Sequence, residues 1–135
     1  MMRVRNTALI LATAAAVGAI ALVPPTARAK YPRISSIGDL TINMNETGPL
    51  MRFLASNEVT LADQLVVTYR SDNPWLIPND DDHITLGGSG QDHTLVITPA
   101  PDQWGFGNVM IIVKDTDGDM SREPFLVGIN GLPNL

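Results

Sequence analysis

The sequence predicts an all-β chain folded as an antiparallel β-sandwich of about seven short strands. Two patterns carry that expectation. Apolar and polar residues alternate with period two in one segment after another, and clusters of Gly, Pro, Asn and Asp interrupt those segments at intervals of about 8–12 residues. No segment shows a convincing 3.6-residue period, so helices are not expected in the core.

Residues 1–29 read as a secretory signal peptide and stand outside the fold. Arg3 and Arg5 give a basic start, residues 7–23 are small and apolar, and Ala27-Arg28-Ala29 has the small-x-small form that signal peptidase accepts. The apolar run falls short of the roughly 20 residues a spanning helix needs, and Pro24 and Pro25 end it. Cleavage leaves one domain at residues 30–135, with six Lys/Arg against 14 Asp/Glu, a formal charge of −8. Such a surface repels phosphate backbones and anionic lipid, which argues against nucleic acid and membrane-surface partners and favours cations or basic partners; with the leader cleaved, no membrane insertion is expected. The chain has no Cys, so an exported domain of this size must hold together by burial alone.

The elements follow in order. Leu40, Ile42 and Met44 alternate with Thr41 and Asn43 as a first strand, with a lead-in at residues 30–36 and a split near Gly38. After turn chemistry at residues 45–49, a second strand at 50–55 sets Met51 and Phe53 on one face and Arg52 on the other. A third at 65–70 points Leu65, Val67 and Tyr69 one way and Val66, Thr68 and Arg70 the other. Pro74 and Pro78 bracket Trp75, which forbids a central strand there. An acidic loop at 79–82 leads to a short strand at 83–86, a turn at Gly87-Gly88-Ser89-Gly90, and a return strand at 94–98 with Leu95 and Ile97 inward. A corner at 99–107 follows, whose Trp104 is, with Trp75, one of two large aromatics with a claim to a binding role, or else closes the end of the sandwich. The almost wholly apolar strand 108–114, a turn at 115–119 and a last strand at 120–129 complete the chain. Pro124 inside that last strand predicts an edge position or a bulge. This size and rhythm are those of an immunoglobulin-like sandwich.

The second half adds a resemblance. Asn73, Pro74, Leu76, Ile77, Pro78 and Asn79, then Ile84 with residues 86–90, then Thr94, Leu95, Ile97, Thr98, Pro99, Ala100 and Gly105, and finally Asp115, Asp117 and Gly118 follow one pattern. That pattern is similar to the bacterial immunoglobulin-like and cadherin-like repeats of exported and surface proteins. The resemblance implies an immunoglobulin-like (cadherin-like) fold in an adhesion-type module, and its motifs specify a fold rather than a chemistry.

Several groups of residues invite a chemical role. Asp115, Asp117 and Asp119 offer clustered carboxylates of the kind calcium takes, although no EF-hand spacing accompanies them: Gly118 is fourth and Leu126 stands where that loop needs its Glu. The alternative is a hairpin turn in which Asp117-Gly118 supplies positive φ. Asp80, Asp81, Asp82 and His83, with His93 beyond the glycine-rich turn, would make a metal site if strand pairing joined the two imidazoles; otherwise they are a solvated loop with surface histidines. Nucleophilic catalysis has no support, because there is no Cys and no G-x-S-x-G elbow, and Gly87 to Gly90 lack the Lys and helix of a phosphate loop.

An interaction surface is the stronger expectation. With Leu65, Val67, Val109, Ile111, Val113, Phe125 and Val127 assigned to the core, alternation turns Val66, Met110, Ile112 and Leu126 outward on neighbouring strands, where the similar repeats carry mostly Thr or other polar residues. Trp75 is a further exposed contact, at a position where those repeats carry a small polar residue. The sequence therefore points to an exported, periplasmic or extracellular, non-catalytic binding module that meets a protein partner or a second copy of itself. A calcium-dependent carbohydrate-binding module, with Trp75 stacking on sugar, is the alternative.

Overall fold

Period-two alternation lays one apolar row along the inner face of each strand, and two such faces must meet to exclude water. The computed structural model describes residues 31–132, so the signal-peptide reading of residues 1–29 lies outside the described residues. Among the described residues eight strands form, β1 (Arg33–Ile34), β2 (Leu40–Asn43), β3 (Met51–Ser56), β4 (Val66–Ser71), β5 (Ile84–Ser89), β6 (Asp92–Ile97), β7 (Gly105–Lys114) and β8 (Met120–Asn130), with one 3-10 turn at Ala62–Gln64. They make two four-stranded sheets, ordered β1-β3-β6-β5 and β2-β8-β7-β4, which is the immunoglobulin-like arrangement. No helix among the described residues is long and apolar enough to cross a membrane.

The core lies between the sheets. Phe53, Ile84, Leu95 and Ile97 come from one layer, and Ile42, Val109, Ile111, Val113, Phe125, Val127 and Ile129 from the other, all buried. Each such side chain gives about 1.5–3 kcal/mol on leaving water, and with no disulfide this burial is what holds the domain together.

Four local expectations are refined. The lead-in does split near Gly38, and its halves join different sheets: β1 pairs antiparallel with β3, while β2 pairs parallel with β8. The turn after β5 falls at Gly90 and Gln91, with Ser89 paired to Asp92, so the glycine run begins inside the strand. Gly88 is there for close approach, since a Cβ on it would stand 2.2 Å from the carbonyl oxygen of Asp92 at φ +93. β7 begins at Gly105, three residues earlier than expected.

Pro124 sits in a strand with neighbours on both sides, yet its position is a local edge. β2 accompanies β8 only over Val127 to Asn130. The Leu126 N–H on that side donates to Asp39 Oδ1 at 3.0 Å, and two residues earlier the proline nitrogen lies past the end of β2, where no ladder bond is required.

Candidate functional site

β7 runs through the middle of its sheet, so its outward side chains are flanked from both sides. Met110 lies opposite Arg70 on β4 and Pro124 on β8, and Ile112 opposite Thr68 and Arg122. Val66 pairs with Lys114, and Leu126 with Asn108. Val66, Ile112, Met110 and Leu126 therefore follow one another diagonally across three strands, at the spacing of about 7–8 Å typical of diagonal neighbours. Val66 and Leu126 are exposed, and Met110 and Ile112 half-buried. The lead-in does not cover this face. Its contacts run along the open side of β8, where Pro32 O accepts from Ser121 Oγ at 2.5 Å and Ile37 N–H donates to Glu123 Oε2 at 3.5 Å.

Alternation already turns Arg70 to the side of Val66, but the gathering of three cations on this face was not anticipated. Arg70, Lys114 and Arg122 stand at outward positions among the aliphatic residues, and the strands β4, β7 and β8 themselves place no carboxylate outward. The carboxylate of Asp72, one residue past β4, accepts from the outward Asn108 Nδ2 at 3.1 Å at the Leu126 end of the face. Among the described residues none of the three cations forms an ion pair. A chain with 14 acidic residues thus carries one apolar face that is edged around Met110 and Ile112 by cations with no ion pair among the described residues. Strand register was the missing information, because only pairing shows that Arg70 and Arg122 flank the same two β7 residues.

Trp75 is placed elsewhere. It belongs to the turn beyond the end of β4, where Asn73 O accepts from the N–H groups of Leu76 and Ile77, both buried, and Trp75 is left 86% exposed. Asn73 Nδ2 donates to Phe106 O at 2.9 Å, which ties this turn to the start of β7, and Ala100 N–H donates to Leu76 O at 2.8 Å, which ties it to the corner before β7.

Trp104 does not close the end of the core: it is 69% exposed, and Phe106 is 72% exposed. Because β7 begins at Gly105, Phe106 shares the outward parity of Met110, and its ring edge rests on Gly128 across the strand pair. The reason is steric, since Gly128 and Gly131 have no side chains and leave room for aromatic rings on the outside of the sheet. Alternation counted backwards from Met110 through Asn108 would have found Phe106, but the glycines disguised strand as corner.

The turn after β7 commits its carboxylates locally. Asp115 is 4% exposed; its Oδ1 accepts from the backbone N–H groups of Asp117 and Asp119, both at 2.9 Å, and its Oδ2 from Asn57 Nδ2 at 3.4 Å. Gly118 takes φ +93, as a tight hairpin requires. Among the described residues no three acidic or imidazole side chains converge to hold a metal, so Asp115, Asp117 and Asp119 are not brought together as a ligand set.

The histidines are separated as well. His83 stands at the level of Thr98 and His93 at the level of Gly88, five residues apart along one ladder and roughly 17 Å at strand rise. His83 Nδ1 donates to Asp80 Oδ1 at 2.6 Å, which holds the Asp80 carboxyl below its usual range. His93 is not a surface histidine: it stacks on Phe53 with ring centroids 5.3 Å apart, and its buried Nε2 has no hydrogen-bond partner among the described residues.

No protein-family model matches the sequence, and no curated relative does either. Among solved structures, the chain is similar to the Ig complex of titin M10 with obscurin-like 1, at 13% identity and a TM-score of 0.54, over 76% of this chain and 97% of that one. It is similar to the tandem Ig repeats of Dlar at 13% identity and a TM-score of 0.56, over 78% of this chain and 52% of that one. A third similar structure is Dpr1 IG1 bound to DIP-eta IG1, at 11% identity and a TM-score of 0.50, over 73% of this chain and 94% of that one. At such identities the likeness is one of fold, and the described domain is an immunoglobulin-like β-sandwich.

Proposed function

We propose that this chain is an exported, non-catalytic immunoglobulin-like binding module that meets a protein through the outward face of β4, β7 and β8. The observation that carries the reading is the diagonal stripe of Val66, Ile112, Met110 and Leu126, edged around Met110 and Ile112 by Arg70, Lys114 and Arg122. Apolar area in the middle with charge at the rim is the anatomy of a protein contact. A partner that suits it offers an apolar patch with acidic residues around it, and long-range attraction to the cations would speed encounter. A face-to-face dimer of two copies would set cation against cation, so a second copy would dock in another orientation.

Export rests on the basic start, apolar run and Ala27-Arg28-Ala29 of the leader, and a periplasmic or extracellular location follows from it. The resemblance to repeats of exported and surface proteins agrees with export, and the protein complexes formed by the titin and Dpr1 domains of similar fold support a protein partner. The non-catalytic reading is supported by the likeness of fold to the titin and Dlar Ig domains.

Met110→Asp combined with Ile112→Lys tests the reading. The pair lies outside the core, so the variant folds, and association measured by light scattering and by binding to the native partner is abolished. Wild-type protein that stays monomeric, with a native partner retained by the double variant, would sink the proposal.

A further inference from the structure

A separate surface lies where the β2 end and the start of β7 meet. Two open hollows of about 550 and 680 Å³ adjoin there, sharing Met44, Gly131 and Leu132, within the size range of small-ligand sites. Trp104 forms one bank of this trough, and Asn43, Glu46 and Asn130 line the other.

The set of the indole distinguishes the occupant. A Cβ on Gly131 would stand 3.5 Å from both Cγ and Cδ2 of Trp104 and 3.8 Å from Cδ1. Near-equal distances to three ring atoms put that point over the face of the ring, so the indole lies against the backbone of Gly131 while the residue remains 69% exposed. A ring laid down in this way offers a flat platform. It does not project as a knob into a partner's pocket, which is how a protein hot spot usually works.

The opposite bank is held in place by its own bonds. Asn130 Nδ2 donates to Asn43 Oδ1 at 3.1 Å, and Asn43 Nδ2 to Glu46 Oε1 at 3.2 Å. Asn45 and Asp102, both at positive φ, clamp the two loops together: Asn45 Nδ2 donates to Asp102 Oδ1 at 3.0 Å and Asp102 N–H to Asn45 Oδ1 at 2.7 Å. This leaves Asn130 Oδ1 and Glu46 Oε2 as acceptors without a partner among the described residues.

We propose that this trough binds a neutral glycan, with Trp104 stacking on the face of one sugar ring and Asn43, Glu46 and Asn130 bonding its hydroxyls. A pyranose has one face of C–H groups, whose partial positive charge suits the negative face of an indole, and an equator of hydroxyls that donate to carboxylates and amide oxygens. The two carboxylates of the trough, Glu46 and Asp102, repel uronic acids and so select against anionic glycans. No ion is required, and the site is independent of the Met110 stripe.

The test uses calorimetry and tryptophan fluorescence with neutral β-1,4-linked hexaoses of glucose and of N-acetylglucosamine, an α-1,4-linked glucose hexaose, and a galacturonic acid hexaose. At least one neutral hexaose binds in the range of about 1 mM or tighter, the uronate binds more weakly, and EDTA changes nothing. Trp104→Ala lowers affinity by about tenfold or more, Trp104→Phe retains part of it, and Trp75→Ala retains all of it. Trp104 is exposed, so circular dichroism of the variants verifies the fold. The proposal is overturned if no neutral hexaose binds at about 10 mM, if Trp104→Ala binds as wild type does, or if Trp104→Ala loses only a protein partner also lost by the Met110 and Ile112 double variant.

Discussion

The hydroxyl of Tyr69 donates to Asp81 Oδ1 at 2.5 Å, and this bond ties β4 of one sheet to the loop that leads into β5 of the other. Both are edge strands, and Val67, Tyr69 and Leu86 line the open groove between them.

That bond has a pH signature. The hydrogen bond to Asp81, then burial, then the charges of Asp81 and Asp80 push the Tyr69 phenol up to about 12 from 10.0. A raised folded pKa means that the contribution is fully present below pH about 10 and is lost as pH rises from about 10 to 12, because the unfolded chain releases its proton first. Alkaline denaturation should show this loss in wild type and not in Tyr69→Phe. Near-ultraviolet titration should find one tyrosine fewer ionising near pH 12 in the variant.

Much of the fold was legible in the sequence because alternation alone decides which residues face inward. Val109, Ile111, Val113, Phe125 and Val127 are all buried as the pattern requires. Other features depended on contacts between distant segments. Gly88 read as a turn residue because nothing local shows that Asp92 O would meet its Cβ, and the choice between a binding and an end-closing Trp104 was not legible because its seat is Gly131, 27 positions later in the chain. The outward aliphatic residues were legible for the same reason as the core. Arg70 was legible with them, but which β7 residues the cations flank was not, since register is a property of pairs of strands.

Asp115 should act as the scaffold of its turn. Asp115→Asn keeps Oδ1 for the N–H groups of Asp117 and Asp119 and disturbs only the bond from Asn57, so it should cost less than about 1 kcal/mol. Asp115→Ala strands both N–H groups and should cost about 2–3 kcal/mol in urea unfolding. Gly118→Ala, at φ +93, should cost about 1 kcal/mol or more. If Asp115→Ala were as stable as wild type, the turn would not depend on this carboxylate.

His93 presents an unusual case for a residue facing the core. Its stacking on Phe53 is favourable, yet its Nε2 is buried without a partner, a situation that costs about 1–3 kcal/mol. His93→Phe keeps a ring against Phe53 and removes the unpaired nitrogen. Its urea midpoint should rise by the equivalent of about 1 kcal/mol, whereas Phe53→Ala should lose about 3–5 kcal/mol. A fall in stability for His93→Phe would show that Nε2 is satisfied in solution.

Two glycines of the β5–β6 hairpin make the sharpest comparison, because both take positive φ and only one is crowded. Gly90 leads the two-residue turn at φ +61, with nothing within 4 Å of where its Cβ would be. Gly90→Ala therefore meets only backbone strain, about 1–2 kcal/mol. At Gly88 the same strain at φ +93 is joined by a Cβ that would stand 2.2 Å from Asp92 O and 2.7 Å from the α-carbon of His93. Those are backbone atoms of the partner strand and cannot swing aside as a side chain would. The alternative is for β5 to part from β6 over Gly88 and Ser89, which gives up ladder bonds and loosens the wall behind His93. Gly88→Ala should thus cost about 3 kcal/mol or more, with amide exchange accelerating at Gly88, Ser89 and His93 before it does at Leu95. Equal melting temperatures for the two alanine variants would show that β5 has no close approach at Gly88.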